Sequence, residues 1–463
     1  MQNLNELTLQ LDSLFHPRSV AVVGVPRGAK MGKLFLVALL DQSFKGNIYP
    51  VHPDAEEIDG LKAYPSILAI PDTVDLAIIL VPHTSALSVV EQCATKGVKG
   101  AVLFTAGYRE TGTDEGKALE DELVQVARSS GMRLLGPNCM GLYCPKTGLS
   151  FFPELSKEPG PVGIISHSGS LANMLGRIGP QRGIRFSKVA SLGNECDVNS
   201  ADMLAYLGND PDTRVIGAYL EGIKNGRYFF EALQSASRRK PVILWKVGLT
   251  AEGSKAALSH TGALTGSAST WGAVVRQGGG IAVVGLEQFV DSLMGFSLLS
   301  SCKGDRFAIL SGPGGLAVAA AEACANAGLK LANLSPETLA RLSELVAPTG
   351  TSLSNPVDVG LTASLIMEIY IQTARSIAAD PGVDAVMVIG TGLTAESNQQ
   401  YAESMIQAQK DYQKPFLIVN IPGFDRTISQ TFCKAGVPFF ETVERAITVY
   451  AQVRNYQLRQ QEL

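Results

Sequence analysis

Histidine is scarce in this chain, with five in 463 residues, and tryptophan is scarcer, with two. Charge is thin as well: charged side chains make up 18% and the net charge is −4. No basic cluster interleaved with aromatics occurs, which excludes the electrostatic footprint of a nucleic-acid binder. The seven cysteines (93, 139, 144, 196, 302, 324 and 433) are scattered. Only Cys139 and Cys144 lie close together, and their C-x₄-C spacing has no second pair or nearby histidine, so no metal site is expected. Thiols without a disulfide framework fit a reducing compartment. No run approaches the roughly 18 apolar residues of a membrane span. The N-terminal Met-Gln-Asn-Leu-Asn-Glu has neither the basic nor the apolar stretch of a signal peptide. A cytoplasmic protein with neither nucleic acid nor membrane as partner is expected.

What is present is an α/β composition, with 46% apolar residues and 47 glycines. A chain of this length exceeds one ordinary core, and two or three domains of about 150 residues are expected. Short Val- and Ile-rich runs alternate with longer amphipathic segments, the pattern of parallel βαβ units. Three times a buried strand runs into a Gly-rich turn that opens a helix: Val20–Gly24, Val162–Ser166 and Phe307–Ser311. Each is expected to start its own doubly wound domain. Pro153–Pro161 and Ser300–Asp305 read as linkers. The domains are therefore expected at 1–152, 160–300 and 305–463. Strands are expected near 19–24, 47–51, 75–81 and 100–104 in the first domain. In the second they are near 162–166, 187–191, 214–220, 241–246 and 281–284, and in the third near 306–310, 384–389, 415–420 and 437–440.

The first turn is expected to set the amides of Gly24 to Gly28 at a helix N-terminus, where the dipole favours an anion. Arg27, Lys30 and Lys33 add positive charge suited to several phosphates. Ala29-Lys30-Met31 stands where a P-loop requires G-K-[ST]. The second strand, Ile48–Pro53, carries no carboxylate for a ribose hydroxyl, which argues against NAD and against an NAD-dependent oxidoreductase. The second turn, Ser166-His-Ser-Gly169, could cradle one compact phosphate, or could be an ordinary serine cap. Glu221 ends the run Val215–Leu220 at the ligand-binding edge of a parallel sheet. It could orient an imidazole, or be a solvated carboxylate beside Lys224. His260 lies in Ser254–Ser267, a stretch of small residues that reads as a mobile surface loop. A histidine there suits a general base or a nucleophile that carries a group elsewhere. The plainer reading is an exposed side chain ahead of a helix beginning near Gly266.

Taken together, these segments resemble the α subunit of an NDP-forming acyl-CoA synthetase, the acetate–CoA ligase (ADP-forming) type of the succinyl-CoA synthetase superfamily. The residues that carry the resemblance include Pro17–Gly24, Gly46–Pro53, Val74–Pro82, Gly107–Gly112 and Gly136–Gly141. Further along they are Ser166–Gly169, Ser191–Asn194, Tyr219–Ile223, Ser259–Ala263, Gly312–Gly315 and Asn355–Asp358. The resemblance implies an α/β architecture of three doubly wound domains: an N-terminal Rossmann-like CoA-binding domain followed by two flavodoxin-like ligase domains. It implies CoA near Gly24, Arg27, Lys30, Gly32 and Lys33, with Val51, Pro53, Val81 and Pro82 around its adenine end. Asn138 and Cys139 match the motif closest to the thiol. Ser168 and Gly169, with Asn194, would hold inorganic phosphate. His260 would be phosphorylated in turnover, with Glu221 as its carboxylate partner.

The implied chemistry is stepwise. Phosphate cleaves the acyl-CoA thioester to an acyl phosphate, His260 takes the phosphoryl group and releases the carboxylic acid, and the phosphohistidine then delivers it to ADP or GDP. No ATP-grasp unit is legible in the chain, so a separate β subunit is implied, bringing the nucleotide and its Mg²⁺ into an α₂β₂ assembly. His167 replaces the glutamine more usual in the Ser-x-Ser-Gly turn. The rival reading is a non-catalytic CoA-binding scaffold or sensor that kept the fold, and such a protein should shed the histidine and its carboxylate.

Overall fold

Strands that are buried on both faces read as continuous apolar runs and pair in parallel. A computed structural model of the chain describes residues 4–28, 30–261, 266–299, 301–302, 304–346, 352–360, 366–423 and 427–462. Its strands form three parallel-type sheets. The first contains β1 (Ser19–Val23), β2 (Asn47–Val51), β5 (Leu76–Ile79), β6 (Gly100–Leu103) and β7 (Arg133–Leu135). A small antiparallel pair, β3 (Glu57–Ile58) and β4 (Leu61–Lys62), lies between β2 and β5 in the chain. The spatial order is β2-β1-β5-β6-β7. Every residue of β1 is buried, and each such Val contributes about 1.5–3 kcal/mol relative to exposure.

The second sheet contains β8 (Gly141–Tyr143), β9 (Pro159–Ser166), β10 (Phe186–Ser191), β11 (Val215–Leu220), β12 (Val242–Lys246) and β13 (Ile281–Val283). Its order is β13-β12-β11-β9-β10-β8, with β8 antiparallel to β10. The third contains β14 (Arg306–Ser311), β15 (Lys330–Leu331), β16 (Val357–Asp358), β17 (Ala385–Ile389), β18 (Phe416–Val419) and β19 (Phe439–Phe440). They run β15-β14-β17-β18-β19, and β16 also pairs with β14. In the first two sheets the opening strand of the parallel set lies between its second and third strands, and in the third sheet β14 lies between β15 and β17. The connections therefore diverge there and leave a crevice at the C-terminal strand edge.

The chain divides into two compact units, Met1–Pro180 with Arg185–Phe289, and Gln181–Ile184 with Val290–Leu463. The first unit contains the first two sheets. In the second unit, Asp291 is buried between two guanidinium groups, 2.7 Å from Arg182 and 2.9 Å from Arg445.

Several local expectations change. Within the segment expected as the linker Pro153–Pro161, Leu155 is buried, its carbonyl accepts an amide hydrogen from Gln42, and β9 already begins at Pro159. Strand β8 crosses to the second sheet, and neither it nor β7 is visible as a strand in the sequence pattern. The helix after the first turn starts at Lys33, capped by Gly32, so Gly24 to Gly28 are loop amides rather than a helix N-terminus. Ala29, Ser300, Lys303, and Gly262 and Ala263 of the histidine motif lie outside the described residues.

Candidate active site

The C-terminal edges of the first two sheets converge within the first unit on a pocket of about 510 Å³. Leu80 to Pro82 follow β5, Phe104 to Ala106 follow β6, and Asn138 to Met140 follow β7. His167 to Ser170 follow β9, and His260 completes the wall. The helix Gly169–Gln181 starts at this wall, and Ser168 Oγ accepts the Leu171 N–H, as a capping serine does. Its first residue is glycine because a Cβ at Gly169 would meet Met140 Cγ at 2.5 Å. In the loop after β10, Gly193 has φ +54, and a Cβ there would meet the Pro137 carbonyl oxygen at 2.2 Å. Only glycine lets the β10 loop approach the 136–139 turn so closely.

His260 is not in a loop. It occupies the last turn of the helix Ala251–Thr261, whose start is capped by Thr250 Oγ1 accepting the Gly253 N–H at 3.0 Å. Ala, Glu, Lys and Leu supply enough helix propensity to override the single glycine. His260 Nδ1 stands 2.9 Å from each carboxylate oxygen of Glu221. Glu221 is 2% exposed, so it is no solvated carboxylate. An ionised carboxylate can only accept, so the proton between them belongs to Nδ1 and the lone pair of the ring lies on Nε2. The imidazole side chain keeps 55% of its surface exposed, so Nε2 is reachable.

Other groups converge on Glu221. Tyr219 hydrogen-bonds to its carboxylate; burial, then that charge, push the phenol above its ordinary range. Lys246, at the end of β12, is buried and donates from Nζ to the Glu221 carbonyl at 2.8 Å. Burial lowers this lysine to about 8, and the charge of Glu221 acts in the opposite direction. From the other side the Glu221 N–H donates to His167 Nδ1 at 3.1 Å. The ring proton of His167 is therefore on Nε2, which lies 2.9 Å from Glu195 Oε1 but off the line of the N–H.

The residues singled out by sequence are distributed as follows. Val81, Pro82, Asn138, Cys139, Ser168, Gly169 and His260 meet at the pocket, with Glu221 behind His260. Burial pushes the Cys139 thiol up to about 12, which makes it part of the wall rather than a nucleophile. Gly24, Arg27, Lys30, Gly32, Lys33, Val51 and Pro53 do not line the pocket. Arg27, Lys30 and Pro53 are exposed, whereas Val51 is buried and accepts the Gly24 N–H. Lys33 is not a free cation: its ammonium pairs with Asp59 at 2.8 Å. Asn194 does not line the pocket either: it is buried, and its amide donates to Glu110 and to Glu120, the latter at 2.9 Å. Lys246 was missed, though a lysine closing the apolar run Val242-Ile-Leu-Trp-Lys246 is a signal for a buried charge.

Comparison with known proteins gives this geometry a family. Residues 18–145 match the CoA binding domain, and residues 159–296 match the succinyl-CoA ligase like flavodoxin domain. The α subunit of acetate–CoA ligase (ADP-forming) II of Pyrococcus furiosus is 37% identical over 453 residues, covering 96% of this chain and 97% of that protein. The chain belongs to the family of ADP-forming acetate–CoA ligase α subunits. Acetate–CoA ligase (ADP-forming) I of Archaeoglobus fulgidus is 39% identical over 398 residues, covering 86% of this chain and 57% of that protein. This chain thus spans little more than half the length of that relative. Among solved structures, the acetyl-coenzyme A synthetase 1 of Ca. Korarchaeum cryptofilum, in complex with phosphate and ADP, superposes with a TM-score of 0.84. It is 33% identical, over 97% of this chain and 98% of that one. The first of the two matched domains contains the whole first sheet, and the second contains β9 to β13 of the second sheet. No helix among the described residues is long and apolar enough to cross a membrane.

Proposed function

We propose that this chain is the α subunit of an acid–CoA ligase (NDP-forming), and that a phosphoryl group passes through His260. The observation that carries the reading is the His260–Glu221 pair, 2.9 Å apart, on a pocket shared with the Ser168–Gly169 turn and the Asn138–Cys139 loop. A scaffold would have no use for a buried carboxylate holding an exposed imidazole.

The acyl-CoA substrate enters with its thioester against Asn138 and the apolar wall of Val81 and Pro82. Arg27 and Lys30 are exposed in the loop after β1 and suit its phosphates, while Lys33 contributes little because Asp59 already neutralises it. Inorganic phosphate sits at the N-terminus of the helix Gly169–Gln181, where the dipole and the amides that open the first turn favour an anion. A phosphate oxygen attacks the acyl carbon, the C–S bond breaks, and CoA leaves with a proton as an acyl phosphate forms. The Nε2 lone pair of His260 then attacks phosphorus and the P–O bond to the carboxylate breaks, releasing the acid. Glu221 holds the Nδ1–H throughout and stabilises the positive charge that develops on the ring. Positioning supplies most of such catalysis, and this pair is preorganised for it.

Transfer onward to ADP or GDP, with its Mg²⁺, takes place on an ATP-grasp β subunit in an α₂β₂ assembly. The naming of relatives as α subunits and the greater length of the Archaeoglobus relative favour that division. We take residues 1–152, 160–300 and 305–463 as the three domains, and the seven unpaired cysteines as fitting the cytoplasm. The test is incubation of the full chain with acetyl-CoA or a longer acyl-CoA and radiolabelled phosphate. Acid-labile label on the wild type that is lost in His260→Ala supports the reading. Absence of label with every thioester, with or without a β subunit, contradicts it.

A further inference from the structure

Glu221 occupies the first position past β11. The orientation of its peptide decides where its carboxylate meets His260. Two side chains from neighbouring strand ends take hold of that residue. His167, in the turn after β9, accepts the Glu221 N–H at Nδ1, 3.1 Å away. Lys246, whose Cα is in register with Leu220 on the adjacent strand, donates its ammonium to the Glu221 carbonyl at 2.8 Å and to the Val247 carbonyl. Both side chains are buried. We propose that His167 and Lys246 are positioning residues that clamp the backbone of Glu221 from its two ends and so set the geometry of the Glu221–His260 pair. This deepens the phosphoryl-transfer reading and rests on it for the activity it predicts, though the clamp itself is a statement about geometry.

The two jaws have opposite proton requirements. His167 must leave Nδ1 without a proton, since a second proton on the ring would point at the Glu221 N–H, donor against donor. Lys246 donates to two carbonyls as an ammonium, and loss of its third proton leaves a neutral amine that is a much weaker donor; burial brings it to about 8, so alkalinity loosens that jaw. The titratable groups facing the clamp among the described residues are few. Glu195 lies against His167 Nε2. Glu221 carries its own carboxylate, to which Tyr219 and His260 hydrogen-bond. Glu195 is itself fixed, accepting the Ser200 N–H at 2.6 Å, so it favours the Nε2 proton that the clamp requires. Glutamine at 167 reproduces the acceptor and donor pattern of the neutral imidazole. Arginine at 246 could keep the donor and cannot lose its charge.

The experiment uses the full chain and two readouts. The first is ¹⁵N NMR of the His260 ring, which reports its tautomer whether or not phosphoryl transfer occurs. The second is the pH profile of His260 phosphorylation from acyl-CoA and phosphate. In the wild type the ring should be protonated at Nδ1. In His167→Leu and Lys246→Met that bias should be lost, and phosphorylation should slow by about tenfold or more at saturating substrate, with KM little changed. His167→Gln and Lys246→Arg should restore most of the tautomer bias and rate, the second losing the alkaline limb of the profile. If the Leu and Met variants fail to fold, the Gln variant decides through the tautomer and the Arg variant through that limb. The proposal is overturned if folded Leu and Met variants keep the wild-type tautomer, if the Gln variant loses it, or if the Arg variant leaves the alkaline limb where it was. A wild type that shows the Nδ1–H tautomer but takes no label would sink the phosphoryl-transfer reading and leave the clamp standing.

Discussion

At the scale of single residues, the site is a short circuit between distant positions: His260 and Glu221 are 39 residues apart and share one proton. Glu221→Gln keeps the shape but replaces one acceptor oxygen with a donor, so the Nδ1–H loses its ionic partner. Single-turnover phosphorylation should fall by about 10²-fold or more, with the fold intact by circular dichroism. Lys246 yields a prediction about stability rather than rate. Unfolded, its amine sits at 10.5, and in the folded chain at about 8. Between those values the unfolded chain holds more protons, so the contribution of this group to stability rises with pH across the window. Wild-type stability minus that of Lys246→Met, measured by denaturant titration, should therefore increase from pH 8 to 10.5 while phosphorylation declines. A flat difference would show that the ammonium is not buried as described. Which residues would matter was partly legible. The Ser166–Gly169 turn, Glu221 and His260 stand out by residue type and position. The commitments of Lys33 to Asp59 and of Asn194 to Glu110 and Glu120 were not, because they depend on partners from other segments.

At the scale of elements, apolar runs located the long parallel strands to within a residue or two, except that β9 starts three residues before Val162, since burial on both faces leaves few alternatives. Short strands escaped. The Arg133–Leu135 and Gly141–Tyr143 segments are three residues each, too brief for periodicity to register. The segment around His260 was read as a loop because glycine and serine punctuate it, yet a threonine cap and an alanine-rich turn make it a helix. Thr250→Ala removes the oxygen that accepts the Gly253 N–H and should cost about 1 kcal/mol, read by thermal melting. It should also fray the helix that presents His260 and weaken the Nδ1 contact. Gly193→Ala should be worse: a left-handed backbone and a carbonyl oxygen at 2.2 Å from the new methyl leave no room. A loss of about 2 kcal/mol or more is expected, with the 136–139 turn displaced from the pocket.

At the scale of the whole molecule, the two compact units predict separable thermodynamics. Asp291 binds Arg182 and Arg445 inside the second unit, and Asp291→Asn leaves two guanidinium groups without their buried anion. A loss of about 3 kcal/mol is expected, appearing in calorimetry as a lowered transition for that unit. The family membership was legible from ordered motifs spread along the chain, whereas the chemistry rests on the way two sheets bring their strand ends to one pocket. The most direct test is to locate the phosphoryl group on the ring by ³¹P and ¹⁵N NMR after reaction with acyl-CoA and phosphate. Because Glu221 occupies Nδ1, the account predicts phosphohistidine bonded through Nε2 of His260. A phosphoryl group on Nδ1, on another residue, or on none would contradict it.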